Sequence, residues 1–363
     1  MGEFLRRLND TLSEGRKRAP YRNNRSWNVA YVGWIGYGNL GDEVMYEQLK
    51  AGWPDFNIVH YEYLRREARL ARFGLSGSAY FGYGFLGGGT LISPYNIEFV
   101  ESLLDQGVTL STLGTGVGSS GYESPLEVEL EAWKALLPRF DHLGLRGPRS
   151  VSRLEKLGIR NACVIGDFAL SMARKKLTEP ANPRKFGLNI TLPNDEVYGS
   201  GSYPVVTALE EVVRKLTGEG WEPVPIAMAL KDIEPTQMLI DRVAAAPVPT
   251  RLVTTAEECF SLLEDCSFTI AIRLHAAILS VCVGVPPLML GYRDKCLDFM
   301  ESVDLSQWYV DLNTASPGEM RSRAYDLSAA APSLRADTLA QAQKWQRVQH
   351  EYLETIRASF KGL

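Results

Sequence analysis

An arginine and a histidine interrupt an otherwise apolar run, Ile270-Ala271-Ile272-Arg273-Leu274-His275-Ala276-Ala277-Ile278. A guanidinium set among aliphatic side chains is costly unless a counter-charge meets it. The run therefore predicts a small anion as the natural partner of Arg273. His275 changes charge near neutral pH and can exchange a proton with whatever Arg273 holds. A satisfied core histidine is the plainer alternative, and the neighbouring buried charge weighs against it. One apolar segment later, Tyr292-Arg293-Asp294-Lys295 adds cations, Lys295 among them, to the same rim. The chemistry expected here is anion binding coupled to proton transfer.

The first half of the chain carries an acidic counterpart. In Gly36-Tyr37-Gly38-Asn39-Leu40-Gly41-Asp42-Glu43, three glycines spell a dinucleotide fingerprint, and Glu62 follows at the usual spacing. However, Asp42 and Glu43 open the helix where a pyrophosphate would lie, setting carboxylates against phosphates. Carboxylates accept hydrogen bonds from hydroxyls, so Gly38, Asn39, Asp42 and Glu43 are read as facing a polyol such as a sugar. An N-cap role for Asp42 and a dipole role for Glu43 weigh equally. Gly87-Gly88-Gly89-Thr90 and Gly114-Thr115-Gly116-Val117-Gly118 would let a ligand or another backbone approach closely. Arg146 follows an apolar segment and could fork onto a phosphate or carboxylate, with Asp167 placed to orient it.

These residues need strand ends to stand on. Short apolar runs alternate with amphipathic stretches from residue 28 onward, which predicts a mainly parallel α/β architecture. Strands are expected at Val29–Val32, Ile58–Tyr61, Tyr83–Leu86, Thr109–Leu113, His142–Leu145 and Cys163–Ile165. A second series is expected at Phe186–Leu192, Val224–Ala229, Phe268–Ile272 and Pro287–Leu290. Helices are expected at Glu43–Leu49, at Ser150–Leu157 before Gly158, and from the capping box Thr255-Ala256-Glu257-Glu258. A polar stretch with Pro180 and Pro183 reads as a linker. The expected organisation is a basic arm over 1–27, a Rossmann-like domain over 28–178 and a second over 184–315. A helical segment follows over 316–363, with a long helix from 333 to 360. In such sheets ligands bind beyond the carboxyl ends of the strands, so every residue singled out above should face one cleft.

Composition narrows the classes. A net charge of −4 over 363 residues gives no global basic field, so no nucleic-acid partner is expected. Five scattered cysteines and four histidines suggest neither a disulfide framework nor a metal site. The N-terminal residues 1–26 lack the apolar core of a signal peptide, so a cytoplasmic location is expected. Phe4, Leu5, Leu8 and Leu12 lie between basic residues and could make weak contact with the inner membrane face, though a solvated arm is the commoner case. The apolar run Phe268–Tyr292 holds Arg273, His275 and a Pro286-Pro287 break. It reads as strand, helix and strand rather than as a membrane span.

The ordered set of motifs resembles the polysaccharide pyruvyltransferase family. It comprises Gly36 to Glu43, Leu86-Gly87-Gly88-Gly89-Thr90-Leu91, Gly114 to Gly118, Arg146 with Ser150, Arg273-Leu274-His275-Ala276, Gly284-Val285-Pro286 and Tyr292 to Lys295. The family carries an acidic residue after the arginine, where this chain has Gly147-Pro148-Arg149. The resemblance implies two Rossmann-like domains facing a cleft, as in the GT-B glycosyltransferase fold. It implies phosphoenolpyruvate as co-substrate, with no separate cofactor and no metal, and a saccharide acceptor, a lipid-linked one among the candidates. Arg273, Leu274, His275, Lys295, Arg146, Gly89 and Thr90 would then serve the donor, and Gly38, Asn39, Asp42 and Glu43 the acceptor. His275 and Arg273 would be catalytic. The competing readings are a nucleotide-sugar glycosyltransferase, an NAD-binding protein and a non-catalytic sugar-binding module.

Overall fold

The computed structural model describes residues 27–60, 81–118, 130–191, 202–243, 248–312 and 314–360. The basic arm over 1–26, Tyr61 and Glu62 lie outside the described residues. Val29 to Val32 form an apolar run too short for a helix, and they build β1 (Asn28–Val32), buried along its whole length. Burial on both faces is what such a continuous run requires. Like runs give β2 (Asn57–His60), β3 (Tyr83–Leu86), β4 (Thr109–Thr115), β5 (His142–Leu145) and β6 (Ala162–Val164). They pair in parallel in the order β2-β1-β3-β4-β5-β6.

A second parallel sheet holds β7 (Lys185–Asn189), β8 (Glu222–Ala227), β9 (Arg251–Leu252), β10 (Phe268–Ala271), β11 (Pro287–Gly291) and β12 (Tyr309–Asp311). Its order is β12-β11-β10-β7-β8-β9. The chain leaves β7 towards one edge and returns through β10 on the other side, so the topological switch falls between β7 and β10. The first sheet has its switch between β1 and β3. Crevices open at such points, beyond the carboxyl ends of the strands.

The helices that frame the cleft are α1 (Leu40–Gly52), α2 (Ile97–Asp105), α3 (Trp133–Leu136) and α4 (Pro148–Lys156) in the first domain. In the second they are α5 (Ser202–Gly218), α6 (Ile233–Val243), α7 (Ala256–Leu263), α8 (Leu274–Cys282) and α9 (Asp294–Ser302), followed by α10 (Pro317–Phe360). The capping box behaves as read. Glu258 donates its amide to Thr255 Oγ1 at 3.2 Å, and Glu258 Oε2 accepts from the Thr255 amide at 3.3 Å.

Three expectations are corrected. The strand expected to reach Leu192 stops at Asn189, because the Ile190 amide turns to Thr236 Oγ1 instead of a ladder partner. The long helix begins at Pro317 and carries Pro332 inside it, where the reading placed its start just after that proline. The edge strands β9 and β12 were not foreseen, since two or three residues carry no period. The run Phe268–Tyr292 is β10, α8 and β11 as expected, and no helix among the described residues is long and apolar enough to cross a membrane.

Two devices join the domains. Gln343, Gln346 and Gln349, three residues apart on α10, each donate to two carbonyls of the crossing segment between Ile165 and Lys175. Across the cleft, α9 clasps α4. Asp298 Oδ1 accepts the amides of Arg149 and Ser150, its Oδ2 accepts the Ser150 hydroxyl, Glu301 pairs with Arg149, and Asp294 pairs with Arg153. A carboxylate from the second domain thus caps a helix N-terminus of the first.

Candidate functional site

The N-terminus of α8 meets the N-terminus of α1. Gly41 lies so close to the His275 ring that a Cβ there would stand 1.9 Å from Cγ, which leaves only glycine at that position. The Leu40 amide approaches the Met228 carbonyl at 3.4 Å, closing the same seam. His275 is buried, and its Nε2 has no hydrogen-bond partner among the described residues. Burial first, and then the charges of Lys295, Arg146 and Arg273, push its pKa down to about 3. The ring is therefore neutral at pH 7 in the unliganded protein.

Arg273 differs from its reading in one respect. The natural partner that the sequence assigned to a small anion is a carboxylate of the protein. Arg273 Nε donates to Asp232 Oδ1 and Oδ2 at 2.8 and 2.6 Å, and its Nη2 donates to Oδ1 at 2.6 Å. Asp232 is wholly buried and also accepts the Met228 and Ala229 amides. It stands just past the end of β8, the neighbour of β7, and was missed because it falls in a charged stretch, Lys231-Asp232-Ile233-Glu234, where a carboxylate is no anomaly. Lys231, also missed, sits beside it. Partial burial, and then Arg273 and Lys295, hold its ammonium below the ordinary range. The signal available was position alone, since both residues follow a strand's carboxyl end.

Lys295 makes no ion pair among the described residues, yet its charge acts on Asp42, Asp167 and His275. Its ammonium lies 5.3 Å from the Tyr292 ring centroid. An anion entering the cleft would find Lys295 unneutralised.

The first domain supplies buried acids. Asp42 does not cap α1; Asn39 does by position, and its side-chain amide donates to Asp42. Burial, opposed by Lys295 and reinforced by Asp167, pushes the Asp42 carboxyl up to about 7. Asp167 is fully buried and stands at about 6, raised by burial and held back by Arg146. One of its oxygens accepts the Ala169 amide at 3.1 Å and the other has no partner among the described residues. Asn39 Oδ1 and Thr90 Oγ1 are likewise buried without partners. Glu43 Oε1 accepts the Gly36 amide at 2.6 Å, which braces the glycine-rich loop, and Gly38 is exposed on that loop.

Arg146 is buried and donates to the Gly89 carbonyl at 2.8 Å. Its Nε lies 3.6 Å from Asp298 Oδ2. The acidic neighbour that follows the arginine in the resembled family is thus supplied from the other domain. A Cβ at Gly116 would stand 2.0 Å from the Arg146 guanidinium, so the second glycine motif makes room for that arginine. Gly89 lies beside Asp42; a Cβ there would lie 3.7 Å from Asp42 Oδ1. Tyr31, also missed, lies under the Gly87 turn, and burial with the nearby Asp42 charge raises its pKa. The arrangement pairs a neutral base set among cations with carboxyl groups that retain protons near neutrality. Such opposed shifts equip a site for acid–base chemistry on an anion.

Two parallel Rossmann-like sheets whose carboxyl ends converge on one charged cleft define the GT-B class of architecture. Staphylococcus aureus MnaA, solved with UDP, superposes with a TM-score of 0.60 at 10% identity, covering 93% of this chain and 97% of that one. UDP-GlcNAc 2-epimerase from Neisseria meningitidis, bound to UDP-GlcNAc, gives 0.59 at 11% identity, covering 91% and 99%. Acinetobacter baumannii MurG gives 0.51 at 10% identity, covering 90% and 99%. At such identities the likeness is one of fold. The chain belongs to the polysaccharide pyruvyl transferase family, whose family model matches residues 39–294.

Proposed function

We propose that this protein transfers a pyruvyl group from phosphoenolpyruvate to two hydroxyls of a saccharide, forming a cyclic ketal and releasing phosphate. The observation that carries the reading is the meeting of Lys295, which pairs with no carboxylate among the described residues, and a neutral His275, its ring against Gly41, with the adjoining Asp42, whose carboxyl ionises at about 7 and so can both give and take a proton at neutral pH. A phosphate and a carboxylate need cations, and a sugar hydroxyl needs a base.

In this reading the donor settles against Lys295, Lys231 and the outer edge of Arg273. Burial and then the nearby cations depress His275; the donor's negative charges offset the cations and offer the buried imidazole a partner for its charge, so it takes up a proton as the donor binds. That proton passes to C3 of the enol. The first hydroxyl bonds to C2 and gives its proton to the Asp42 carboxylate. The bond between C2 and the phosphate oxygen breaks, and the departing phosphate takes the proton from Asp42. The second hydroxyl closes the ring on C2 and returns a proton to His275. Two hydroxyl protons are lost; one ends on the new methyl group and one on phosphate. Arg146, fixed between Gly89 and Asp298, supplies positive potential without moving.

Thermal unfolding with millimolar phosphoenolpyruvate, beside UDP, NADH and phosphate, tests the donor. A ligand at a hundred times its Kd adds about 2.7 kcal/mol of stability. A shift with phosphoenolpyruvate that Lys295→Met abolishes, followed by phosphate release with a sugar acceptor, supports the reading. A shift with UDP alone points to a nucleotide-sugar transferase on the same fold.

A further inference from the structure

A contiguous exposed apolar patch marks a binding surface, whereas apolar residues exposed singly do not. Trp34 and Tyr37 are 57% and 52% exposed, yet their rings stack on each other at 4.1 Å between centroids and 18° between planes. Both sit on the loop between β1 and α1, at the carboxyl edge of the first sheet. That loop is tied to the site, since the Gly36 amide between them donates to Glu43 at 2.6 Å. Tyr95, 69% exposed, follows the neighbouring strand β3 on the same edge. On the facing domain Leu230, 74% exposed, stands two residues past Met228, whose carbonyl receives the Leu40 amide across the seam. Four of the exposed large apolar residues thus follow the carboxyl ends of strands, three in the first sheet and one in the second.

We infer that the stacked Trp34–Tyr37 pair is a platform for a second sugar ring of the acceptor, outside the one that reacts. The inference rests on the saccharide-acceptor reading above. A pyranose has an apolar C–H face and a polar rim of hydroxyls. An aromatic ring beside a carboxylate answers both, the ring taking the C–H face and Glu43 accepting from the rim. A nucleobase would also stack, but its diphosphate would then lie towards the Glu43 carboxylate and be repelled. The platform makes the enzyme selective for acceptors longer than one sugar.

The test uses the full chain as wild type, Trp34→Ala, Tyr37→Ala and Trp34→Phe. The probes are methyl β-galactoside and lactose, methyl β-glucoside and cellobiose, and UDP, read by saturation-transfer NMR and titration. Trp34 is exposed, so its variants should fold, and their melting temperatures check this. The expected result is that Trp34→Ala weakens at least one disaccharide about tenfold, equivalent to about 1.4 kcal/mol. Its methyl glycoside and the phosphoenolpyruvate thermal shift should be unchanged, and Trp34→Phe should keep most of the affinity. Disaccharide binding that ignores Trp34, no disaccharide binding in wild type, or UDP binding that depends on Trp34 would each overturn the proposal. Phosphate release from phosphoenolpyruvate is measured separately. Disaccharides held through Trp34 without any release would leave the platform standing and remove the pyruvyl-transfer reading. Release that is indifferent to Trp34 would do the reverse.

Discussion

The ring of His275 lies against the backbone of Gly41, with no room for a methyl group between them. One residue opens α8 of the second domain and the other lies in the first turn of α1 of the first, so the domains meet at the atoms proposed to react. Gly41→Ala must push the ring away. Displacements of about 1 Å can cost about a hundredfold in rate, and that loss is expected in kcat. Overpacking should also cost roughly 1–3 kcal/mol of stability. Kinetics and urea unfolding of the variant check both.

Asp42 ionises near 3.9 in an unfolded chain and at about 7 in the fold. The folded state binds the extra proton between those values, so stability is full below the lower one and is lost as pH rises through the upper. Asp42→Asn removes that loss. It should raise the melting temperature at pH 8 more than at pH 4, while abolishing turnover. Melting curves at the two pH values decide it, and equal shifts would show that Asp42 carries no raised pKa.

His275 runs the other way. Its folded pKa of about 3 lies below the ordinary value of about 6.5. The unfolded chain binds more protons between them, so its contribution to stability is lost as pH falls through that window. Phosphoenolpyruvate should restore the proton. Calorimetry at pH 7 in buffers of different ionisation enthalpy should show net proton uptake on binding. His275→Asn should abolish that uptake and turnover while keeping the donor, and uptake that persists would remove His275 from the acid's role.

Arg273 and Lys295 should separate in their effects. Arg273→Ala strands the buried Asp232 carboxylate, and breaking such a pair costs about 3–5 kcal/mol. Lys295→Met breaks no ion pair among the described residues and should leave the melting temperature nearly unchanged. Both should weaken the donor. Urea unfolding with donor titration distinguishes them, and a Lys295 variant that binds the donor normally would move the anion site elsewhere.

Asp298→Ala removes the cap of α4 and the counter-charge of Arg146 together. A cost of roughly 3 kcal/mol or more is expected from the uncompensated arginine alone. Asp298→Asn should recover part of the cap but not the charge. Unfolding of the two variants measures the difference.

Local pattern was enough for much of this protein. Apolar runs bounded by glycine and proline place Tyr83–Leu86 and His142–Leu145 at their observed limits, and Thr255 with Glu258 closes its capping box. These features depend on neighbours in the chain, so the order of residues suffices. His275 beside Arg273 was legible for a related reason, because charge within an apolar run is anomalous in any fold. What answers that charge was not legible. Asp232 lies 41 residues from Arg273, and Asp298 lies 148 from Ser150. Pairings at such separation leave no period in the sequence. The pKa values of Asp42, Asp167 and His275 belong to the same category, since burial and the field of Lys295 exist only once two sheets have closed on one cleft. The chain marked the candidate groups; tertiary packing decided their charge.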